Sequence, residues 1–247
     1  MISGIFQKEV QELILNIAKS LGAPLLQFGV DFNYRSMESA DLLNSNLFDF
    51  HGIQKNELNL SLPLLGEHQK RNASLALAAL EILHGKGFGQ NEDNLRDGLK
   101  MVRWPGRIEV VKKNPLIILD GAHNPSGARV LATFLNSLPK TGNRILVLGM
   151  MKDKDIYQIG EALIPWADEI ILTRASFSRS ASPNELLKAL PATLKPIRMI
   201  GSLSEIFPIL EKKCDVNEMI CFTGSLYTIG EAKAILEGVH IDVPLYG

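Results

Sequence analysis

Apolar residues in the N-terminal part of the chain are spaced in two ways. Across residues 10–21 they recur every three or four positions, which predicts an amphipathic helix that ends at Gly22. The Ala- and Leu-rich segment 72–83 predicts a second, buried helix, because high helix propensity coincides there with a nearly continuous apolar face. Shorter segments have strand composition or alternate apolar and polar positions, and we predict strands at 23–32, 48–50 and 58–62.

From residue 107 onward the pattern changes to apolar runs separated by helical segments. The predicted strands lie near residues 107–111, 116–120, 144–149, 169–173 and 218–223. Continuous apolar runs such as 116–119 are expected for parallel strands that helices cover on both faces. We therefore predict an α/β fold with a C-terminal doubly wound, mostly parallel sheet. A domain boundary is predicted at 103–105, where a helical region ends in a Trp-Pro-Gly turn.

The charge balance argues against an anionic macromolecule as the partner of this chain. Its 26 basic and 27 acidic residues give a net charge of −1, so no surface is expected that neutralises nucleic-acid phosphates or anionic lipid. The N-terminus lacks the regions of a signal peptide, and no apolar run is long enough to cross a bilayer. Cys214 and Cys221 lack CxxC spacing, which favours reduced thiols. We expect a cytoplasmic protein without nucleic-acid or membrane partners.

Polar residues directly after predicted strands are candidates for ligand binding, because ligands of open α/β sheets sit beyond the carboxyl ends of the strands. Asp120 and His123 follow the apolar run 116–119, and an acid and an imidazole at that place could hold a nucleotide or a charged substrate. The alternative is structural: Asp120 and Asn124 cap the next helix, and His123 bonds a buried carbonyl. Spacing alone does not separate these two interpretations.

Other candidate residues are less specific. Ser225, after the run 218–223, could bind a carboxylate or phosphate at a helix start, although spacing alone favours an ordinary N-cap. Asn72 has a carboxamide that could read an adenine edge or cap its helix. Arg107 could bind phosphate oxygens or form an interdomain salt bridge. The charged segment 151–155 fits a ligand loop and a solvated loop equally well.

Five sequence segments, taken together and in their order along the chain, are similar to those of one enzyme family, although no single segment is specific for it. They are GEHQKRNASLALAAL (66–80), WPGRIEV (104–110), DGAHNPSGA (120–128), GMMKDKD (149–155) and FTGSLY (222–227). With residues 179–181, they resemble the C-terminal half of the folylpolyglutamate synthase and dihydrofolate synthase family, relatives of the Mur ligases. The resemblance implies that residues 104–247 form a Rossmann-like Mur ligase C-terminal domain that binds glutamate and part of ATP. Residues 1–103 would then be the C-terminal remnant of the central α/β ATPase domain.

The resemblance also implies an activity. Enzymes of this family use ATP to convert a folate carboxylate to an acyl phosphate, which the amine of L-glutamate attacks to form an amide. Bifunctional members also join dihydropteroate to glutamate. Asn72 resembles the family's adenine-contacting Asn, Arg107 the arginine that reaches the ATP phosphates, and Asp120 the carboxylate that holds the nucleotide. His123 and Ser225 match positions associated with the incoming glutamate and the reacting phosphate.

One part of the family's pattern is missing from this sequence. The phosphate-binding loop GxxxxGK[ST] does not occur. The family keeps that loop and its Mg²⁺ ligands in an N-terminal segment, so no metal ligand is assigned to this chain. We expect the chain to be inactive without such a segment, and the full-length protein to be a monomer.

Two alternatives to the folate ligase stay open. One is a stand-alone, non-catalytic ligand-binding or interaction module derived from a Mur-type ligase, which the missing loop motivates. The other is a Mur-type ligase acting on a peptidoglycan precursor. WPGR and FTGSLY favour the folate branch over the second alternative.

Overall fold

The computed structural model describes residues 1–38, 41–88 and 92–239, without the side chains of Glu92, Asp93 and Lys213. The chain forms two compact units, Met1–Arg103 and Trp104–Gly247. What each unit binds stays a prediction. In the described ranges, no helix is long and apolar enough to cross a membrane.

The first unit combines a parallel pair of short strands, an antiparallel three-stranded sheet and helices. In chain order, its described elements are β1 (Ile2–Ser3), α1 (Lys8–Ser20), β2 (Leu26–Gln27), β3 (Asn33–Ser36), β4 (Asn46–His51), β5 (Asn56–Leu62), α2 (Glu67–Gly85) and α3 (Glu92–Met101). Phe48 and Phe50 of β4 and Leu60 of β5 pack with Ala73 and Leu77 of α2 to form its core. Leu60 and Leu62 of β5 lie on the buried face of this sheet, as their alternation with polar residues predicted. Leu58 is exposed instead, because the alternation is interrupted at Asn59, which has a φ of +55°.

The predicted strand at 23–32 is wrong for most of its length. Only Leu26–Gln27 pairs with another strand. The carboxylate of Asp31 accepts a hydrogen bond from the Gln27 N–H (2.7 Å), and Gly29 has a φ of +85°, so the chain turns there. Conversely, β3 lies in a polar stretch that predicted no strand. Its side chains are mostly exposed at the edge of the sheet, so the strand needs no apolar alternation.

The second unit is built around a six-stranded sheet. Its described elements are β6 (Glu109–Lys113), β7 (Leu116–Asp120), α4 (Pro125–Ser137), β8 (Arg144–Leu148), α5 (Ile156–Leu163), a 3₁₀ turn (Ile164–Trp166), β9 (Glu169–Leu172), α6 (Pro183–Ala189), β10 (Ile197–Met199), α7 (Leu203–Lys213), β11 (Met219–Thr223) and α8 (Leu226–Leu236). The strand order is β10-β9-β8-β11-β7-β6, and only β6 pairs in the antiparallel sense. The predicted α/β fold with a mostly parallel sheet is confirmed.

Helices cover both faces of this sheet. Val147 of β8 and Phe222 of β11 lie in one cluster with residues of α7 and α8. The alternate side chains, such as Leu146 and Leu148, are also completely buried. Burial of both faces is the physical reason for the continuous apolar runs. The edge strand β10, which the pattern did not predict, is three residues long and partly exposed.

The ends of three central strands are in register. Thr223 at the end of β11 pairs with Asp120 of β7 on one side and with Leu148 of β8 on the other. The segments that follow β7, β8 and β11 therefore leave the sheet side by side. Most of the candidate residues lie at these carboxyl ends of the parallel strands, which are called the carboxyl edge of the sheet below.

Candidate functional site

The loops after β7, β8 and β11 are packed against one another. A methyl group at Gly121 would lie 2.4 Å from Cδ2 of Leu226, the first residue of α8. A methyl group at Gly224 would lie 2.7 Å from the carbonyl oxygen of Gly149. The contact of Gly224 with backbone, together with its φ of +101°, requires glycine there. Both contacts show that the loop of Asp120 and His123 and the loop after β8 pack against the start of the helix that Ser225 caps.

Asp120 is a buried carboxylate with both oxygens bonded to the backbone. Its Oδ2 accepts a hydrogen bond from the Ile108 N–H and its Oδ1 one from the Ala122 N–H, both at 2.8 Å. The residue is only 6% exposed. Burial raises the pKa of Asp120, and this effect outweighs the lowering by the two N–H groups and by Arg107. Asp120 thus ties the turn before β6 to the end of β7.

That turn holds Arg107 between two fixed neighbours. Gly106, at a φ of +72°, accepts a hydrogen bond on its carbonyl from the Gly121 N–H (2.9 Å). Ile108 is buried and has a φ of +49°, a left-handed conformation that is strained for a β-branched residue and costs about 1–3 kcal/mol. Arg107 itself is half-buried, and no side chain of the described ranges forms an ion pair with it. Its guanidinium is therefore open to an anionic ligand.

The segment after Asp120 is compatible with both a ligand-binding role and a structural role. Asn124 is the N-cap of α4, because its Oδ1 accepts a hydrogen bond from the Gly127 N–H (2.8 Å). Nδ1 of His123 lies 2.8 Å from the Gly121 carbonyl oxygen. A carbonyl only accepts, so Nδ1 carries the proton and Nε2 is left for another partner. The structural alternative is correct for Asn124 and for one nitrogen of His123.

Ser225 caps α8, as its spacing favoured. Its Oγ accepts a hydrogen bond from the Tyr227 N–H (3.1 Å), and the residue is 2% exposed. Gly224 before it has a φ of +101°. A serine hydroxyl that accepts from the helix can still donate its own hydrogen, so the cap leaves one interaction for a ligand oxygen. The N-cap and the ligand role are therefore compatible.

Several residues that support this edge were not predicted. Thr228 of α8 donates a hydrogen bond to the Gly149 carbonyl (2.9 Å), and Glu231 accepts one from the Ser176 N–H (2.7 Å). The rings of Phe177 and Tyr227 are stacked, with centroids 4.0 Å apart. These contacts fix the loop after β9 to α8. The available signal was the pair of polar residues Thr228 and Glu231, three positions apart in the mostly apolar helix α8.

The charged segment 151–155 behaves as a solvated loop. Lys152 pairs with Glu185 at 3.3 Å, and Lys154 pairs with Asp153 at 3.0 Å, with all four side chains at least partly exposed. Asp155 is the N-cap of α5, since its carboxylate accepts from the Gln158 N–H. These contacts assign structural roles to the charges.

Asn72 belongs to the first unit, separately from the other candidates. It lies in the second turn of α2, which begins at Glu67, so it is not the cap of that helix. The residue is exposed, and its Nδ2 donates to Oε1 of Gln69 at 3.2 Å. One amide edge is thereby oriented, and the carbonyl oxygen stays available to a ligand.

No group of three or more His, Cys, Asp or Glu side chains in the described ranges is arranged to hold a metal ion. Both oxygens of Asp120, the buried acid at the end of β7, accept hydrogen bonds from backbone N–H groups. That this chain supplies no metal ligand stays a prediction.

Comparison with known proteins identifies the second unit. Residues 106–226 match the family model described as "Mur ligase, glutamate ligase domain". A dihydrofolate synthase/folylpolyglutamate synthase of Bacillus subtilis is 27% identical over 241 residues, which are 96% of this chain and 54% of that protein. The chain belongs to the folylpolyglutamate synthase and dihydrofolate synthase family. Arg107, Asp120, His123 and Ser225 all lie within the matched residues.

Solved structures of this family have the same fold. The Mycobacterium tuberculosis folylpolyglutamate synthase complexed with ADP and AMPPCP is 28% identical, with a TM-score of 0.83, over 97% of this chain and 55% of that chain. A bifunctional folylpolyglutamate synthase/dihydrofolate synthase with Mn, AMPPNP and L-glutamate bound is 26% identical, with a TM-score of 0.74, over 92% and 51%. The chain thus spans about half the length of the relatives it matches.

Proposed function

We propose that this chain is part of an ATP-dependent amide ligase that adds L-glutamate to folate through an acyl phosphate. The observation that carries the proposal is the carboxyl edge of β7 and β11. There, residues matched by the glutamate ligase family model present an unpaired guanidinium, a free imidazole nitrogen and a helix-capping hydroxyl. These groups suit a site that holds phosphate oxygens beside an amino acid.

Each residue has a proposed role. Arg107 binds phosphate oxygens of ATP, Asp120 is the carboxylate that holds the nucleotide, and Asn72 contacts the adenine. His123 and Ser225 act at the incoming glutamate and the reacting phosphate.

The proposed reaction has two steps. In the first, a folate carboxylate oxygen attacks the γ-phosphorus of ATP and releases ADP. In the second, the glutamate nitrogen attacks the acyl carbon of the acyl phosphate and releases phosphate and a proton.

In this reaction the residues of the chain position reactants and stabilise charge. ATP supplies the leaving group, so no nucleophilic side chain is required. Nε2 of His123, freed by the bond from Nδ1 to Gly121, is available to orient or accept a proton from the glutamate amine. The Ser225 hydroxyl and the first N–H groups of α8 favour a negatively charged oxygen.

Two relatives that are named for both activities support a second substrate, whose carboxylate would also be joined to glutamate. The Bacillus subtilis relative carries both activities in its name, and so does the solved structure with L-glutamate. We propose dihydropteroate as the second substrate. A divalent cation is proposed as a requirement of the complete reaction, since that solved structure contains Mn with AMPPNP.

The direct test measures ADP formation by the chain with ATP, Mg²⁺, L-glutamate and either a reduced folate or dihydropteroate. The same assay is run with the chain plus a P-loop segment taken from a relative. Glutamate-dependent ADP formation with a folate acceptor, lost on His123→Ala, supports the proposal. Turnover that needs a peptidoglycan precursor in place of folate would assign the chain to another Mur-type reaction.

The non-catalytic alternative is separated by binding measurements. Calorimetry with L-glutamate and with ATP is performed on the wild-type chain, His123→Ala and Ser225→Ala. A ligase site requires weaker glutamate binding in both variants and unchanged binding in Ser182→Ala, which removes a cap elsewhere in the same unit. Glutamate binding without turnover in any combination of segments would favour the binding module.

A further inference from the structure

We infer that Glu109 and Lys233 form a positioning pair that holds the turn carrying Arg107 at a fixed place against α8, the helix that Ser225 caps. Neither member of the pair contacts a substrate. The pair acts through Arg107, because it fixes the place of the guanidinium relative to the start of α8. The inference rests on the proposed function for the identity of the ligand at Arg107, whereas the bonds of the pair belong to the second unit alone.

The carboxylate of Glu109, the first residue of β6, connects two elements that are far apart in the sequence. Its Oε2 accepts a hydrogen bond from the Gly106 N–H at 2.8 Å, and its Oε1 accepts one from Nζ of Lys233 at 2.5 Å. The two side chains are only 25% and 26% exposed. Salt screens a partly buried pair less than a pair in open solvent, so this carboxylate is a persistent link between the turn and α8.

The turn and α8 are also in close contact at Gly106. A methyl group at this residue would lie 2.3 Å from Cδ1 of Ile229, which is buried and lies four positions before Lys233 in α8. Residues four positions apart lie on the same face of a helix. One face of α8 therefore holds the turn twice, at Gly106 by packing and at Glu109 by charge.

The pair brings two proposed ligand groups into one rigid arrangement. Arg107 lies between the anchored residues Gly106 and Glu109, and its guanidinium has no ion-pair partner among the described side chains. Ser225 caps the same helix that carries Lys233. Because the turn and α8 are joined, the guanidinium and the hydroxyl keep a constant separation. Two groups that act at the phosphates of ATP gain from this preorganisation, since the turn need not be ordered when the nucleotide binds.

The first experiment tests the link without a ligand. Hydrogen exchange of the Gly106 amide, followed by NMR, reports how often its bond to Glu109 opens. Exchange should be about fivefold faster in Lys233→Met, as expected for the loss of one partly exposed ion pair, and should stay within about twofold of the wild-type rate in Lys233→Arg. Lys140→Met is the matched control, because Lys140 pairs at 2.8 Å with Asp168, a carboxylate that also accepts a backbone N–H. This control should leave the exchange of Gly106 unchanged.

Three results would overturn the link. One is an equal rate of exchange at Gly106 in the wild type and in Lys233→Met. Another is a uniform acceleration of the amides of the six-stranded sheet in Lys233→Met, because global stability and not the turn would then have changed. The third is exchange of Gly106 in the wild-type chain at the rate of an unprotected peptide. This last measurement needs no variant, so it decides the question even if Lys233→Met does not fold.

The second experiment asks whether the pair acts through Arg107. KM values for ATP and for L-glutamate are compared, with the P-loop segment of a relative present, for the wild type, Glu109→Ala, Arg107→Ala and the double variant. ATP dissociation constants replace KM where turnover is too slow. A positioning role predicts that Glu109→Ala raises KM for ATP about fivefold, and by less than about twofold once Arg107 is absent. KM for L-glutamate should stay within about twofold in Glu109→Ala, because the turn carries the nucleotide side of the site.

Additive losses in the double variant would overturn the positioning role, and so would equal rises of both KM values in Glu109→Ala. Failure of the proposed function has a different signature. The wild-type chain with the P-loop segment would then show neither ATP binding nor glutamate-dependent ADP formation. Hydrogen exchange at Gly106 would still decide whether Glu109 and Lys233 hold the turn.

Discussion

The acidic side chains at the two ends of the parallel strands have different kinds of partner. At the amino-terminal edge, side chains are paired with each other: Lys140 with Asp168 at 2.8 Å, and Arg198 with Glu169 at 2.6 Å. At the carboxyl edge, Asp120 accepts hydrogen bonds from the backbone, and Arg107 has no ion pair within the described residues. The carboxyl end therefore leaves the Arg107 guanidinium available to an anion, and this is the end of an open α/β sheet at which ligands are expected.

The largest expected effect separates the two edges by function. Arg107→Ala should reduce glutamate-dependent ADP formation by about 10²-fold, since it removes a preorganised charge from the reacting phosphate. Arg198→Ala removes an arginine from the other edge and should leave this rate nearly unchanged. The measurement is the initial rate of ADP formation at saturating glutamate, with the P-loop segment of a relative added to each variant. Equal losses in the two variants would show that the edges do not differ in this way.

The second prediction concerns the stability of the second unit. Asp120→Ala leaves two N–H groups without their acceptor inside the protein and should lower the free energy of unfolding by about 2–3 kcal/mol. Asp168 has a partly exposed side chain paired with Lys140, so Asp168→Ala should cost only about 1 kcal/mol or less. Urea unfolding monitored by far-UV circular dichroism provides both values. A larger loss from Asp168→Ala would reverse the comparison.

The third prediction compares two helix caps of the same unit. Ser225 caps α8 and Ser182 caps α6, so either Ser→Ala change should lower the free energy of unfolding by about 1 kcal/mol. Only Ser225→Ala should also weaken L-glutamate binding. Calorimetry beside thermal unfolding separates the structural part from the ligand part. If Ser182→Ala weakens glutamate binding to the same degree, the effect is one of general stability.

The smallest effect is the opposite pH response of the two aspartates. Burial raises the pKa of Asp120. Burial acts in the same direction on Asp168, but the bonds from Lys140 and the Arg144 N–H outweigh it and lower that pKa below its usual 3.8. Carbon-13 NMR titration of the two carboxyls should therefore show midpoints on either side of this value.

The sign of each contribution to stability follows from linkage. Asp168 stabilises the fold above its unfolded pKa, and this contribution is lost as the pH falls through its lower folded value. The shift of Asp120 favours the folded state below the unfolded pKa, and this contribution disappears as the pH rises through the folded value. An Asp120 midpoint below that of Asp168 would contradict the difference in burial.

The large sheet was predictable because the burial of each central strand is visible in its own short stretch of sequence. Strands such as β7 and β8 are buried on both faces, so each of their positions is apolar and the runs stand out. The short edge strands β3 and β10 carry exposed side chains and therefore leave no such pattern. The predicted strand at 23–32 was wrong because a carboxylate, that of Asp31, closes a turn inside an apolar stretch.

The positions of the candidate residues in the fold were predictable, but their hydrogen-bond partners were not. Asp120, His123 and Ser225 stood out because they follow apolar runs, and β7 and β11 do end side by side. Nothing in the spacing indicated that the oxygens of Asp120 would bond Ile108 and Ala122. The left-handed backbone of Ile108 was equally invisible, because isoleucine is a residue that avoids this conformation.

By itself, the sequence determined the fold class of the second unit, the end of the sheet where the candidate residues lie, and the family, because hydrophobic periodicity and the order of motifs are properties of the chain. Only the tertiary structure decided which polar groups at that edge are used internally and which stay open. Hydrogen-bond partners are chosen by distance and direction in space. The two backbone partners of Asp120, and the lack of an ion pair at Arg107 among the described residues, could therefore be seen only after β6, β7 and α8 had come together.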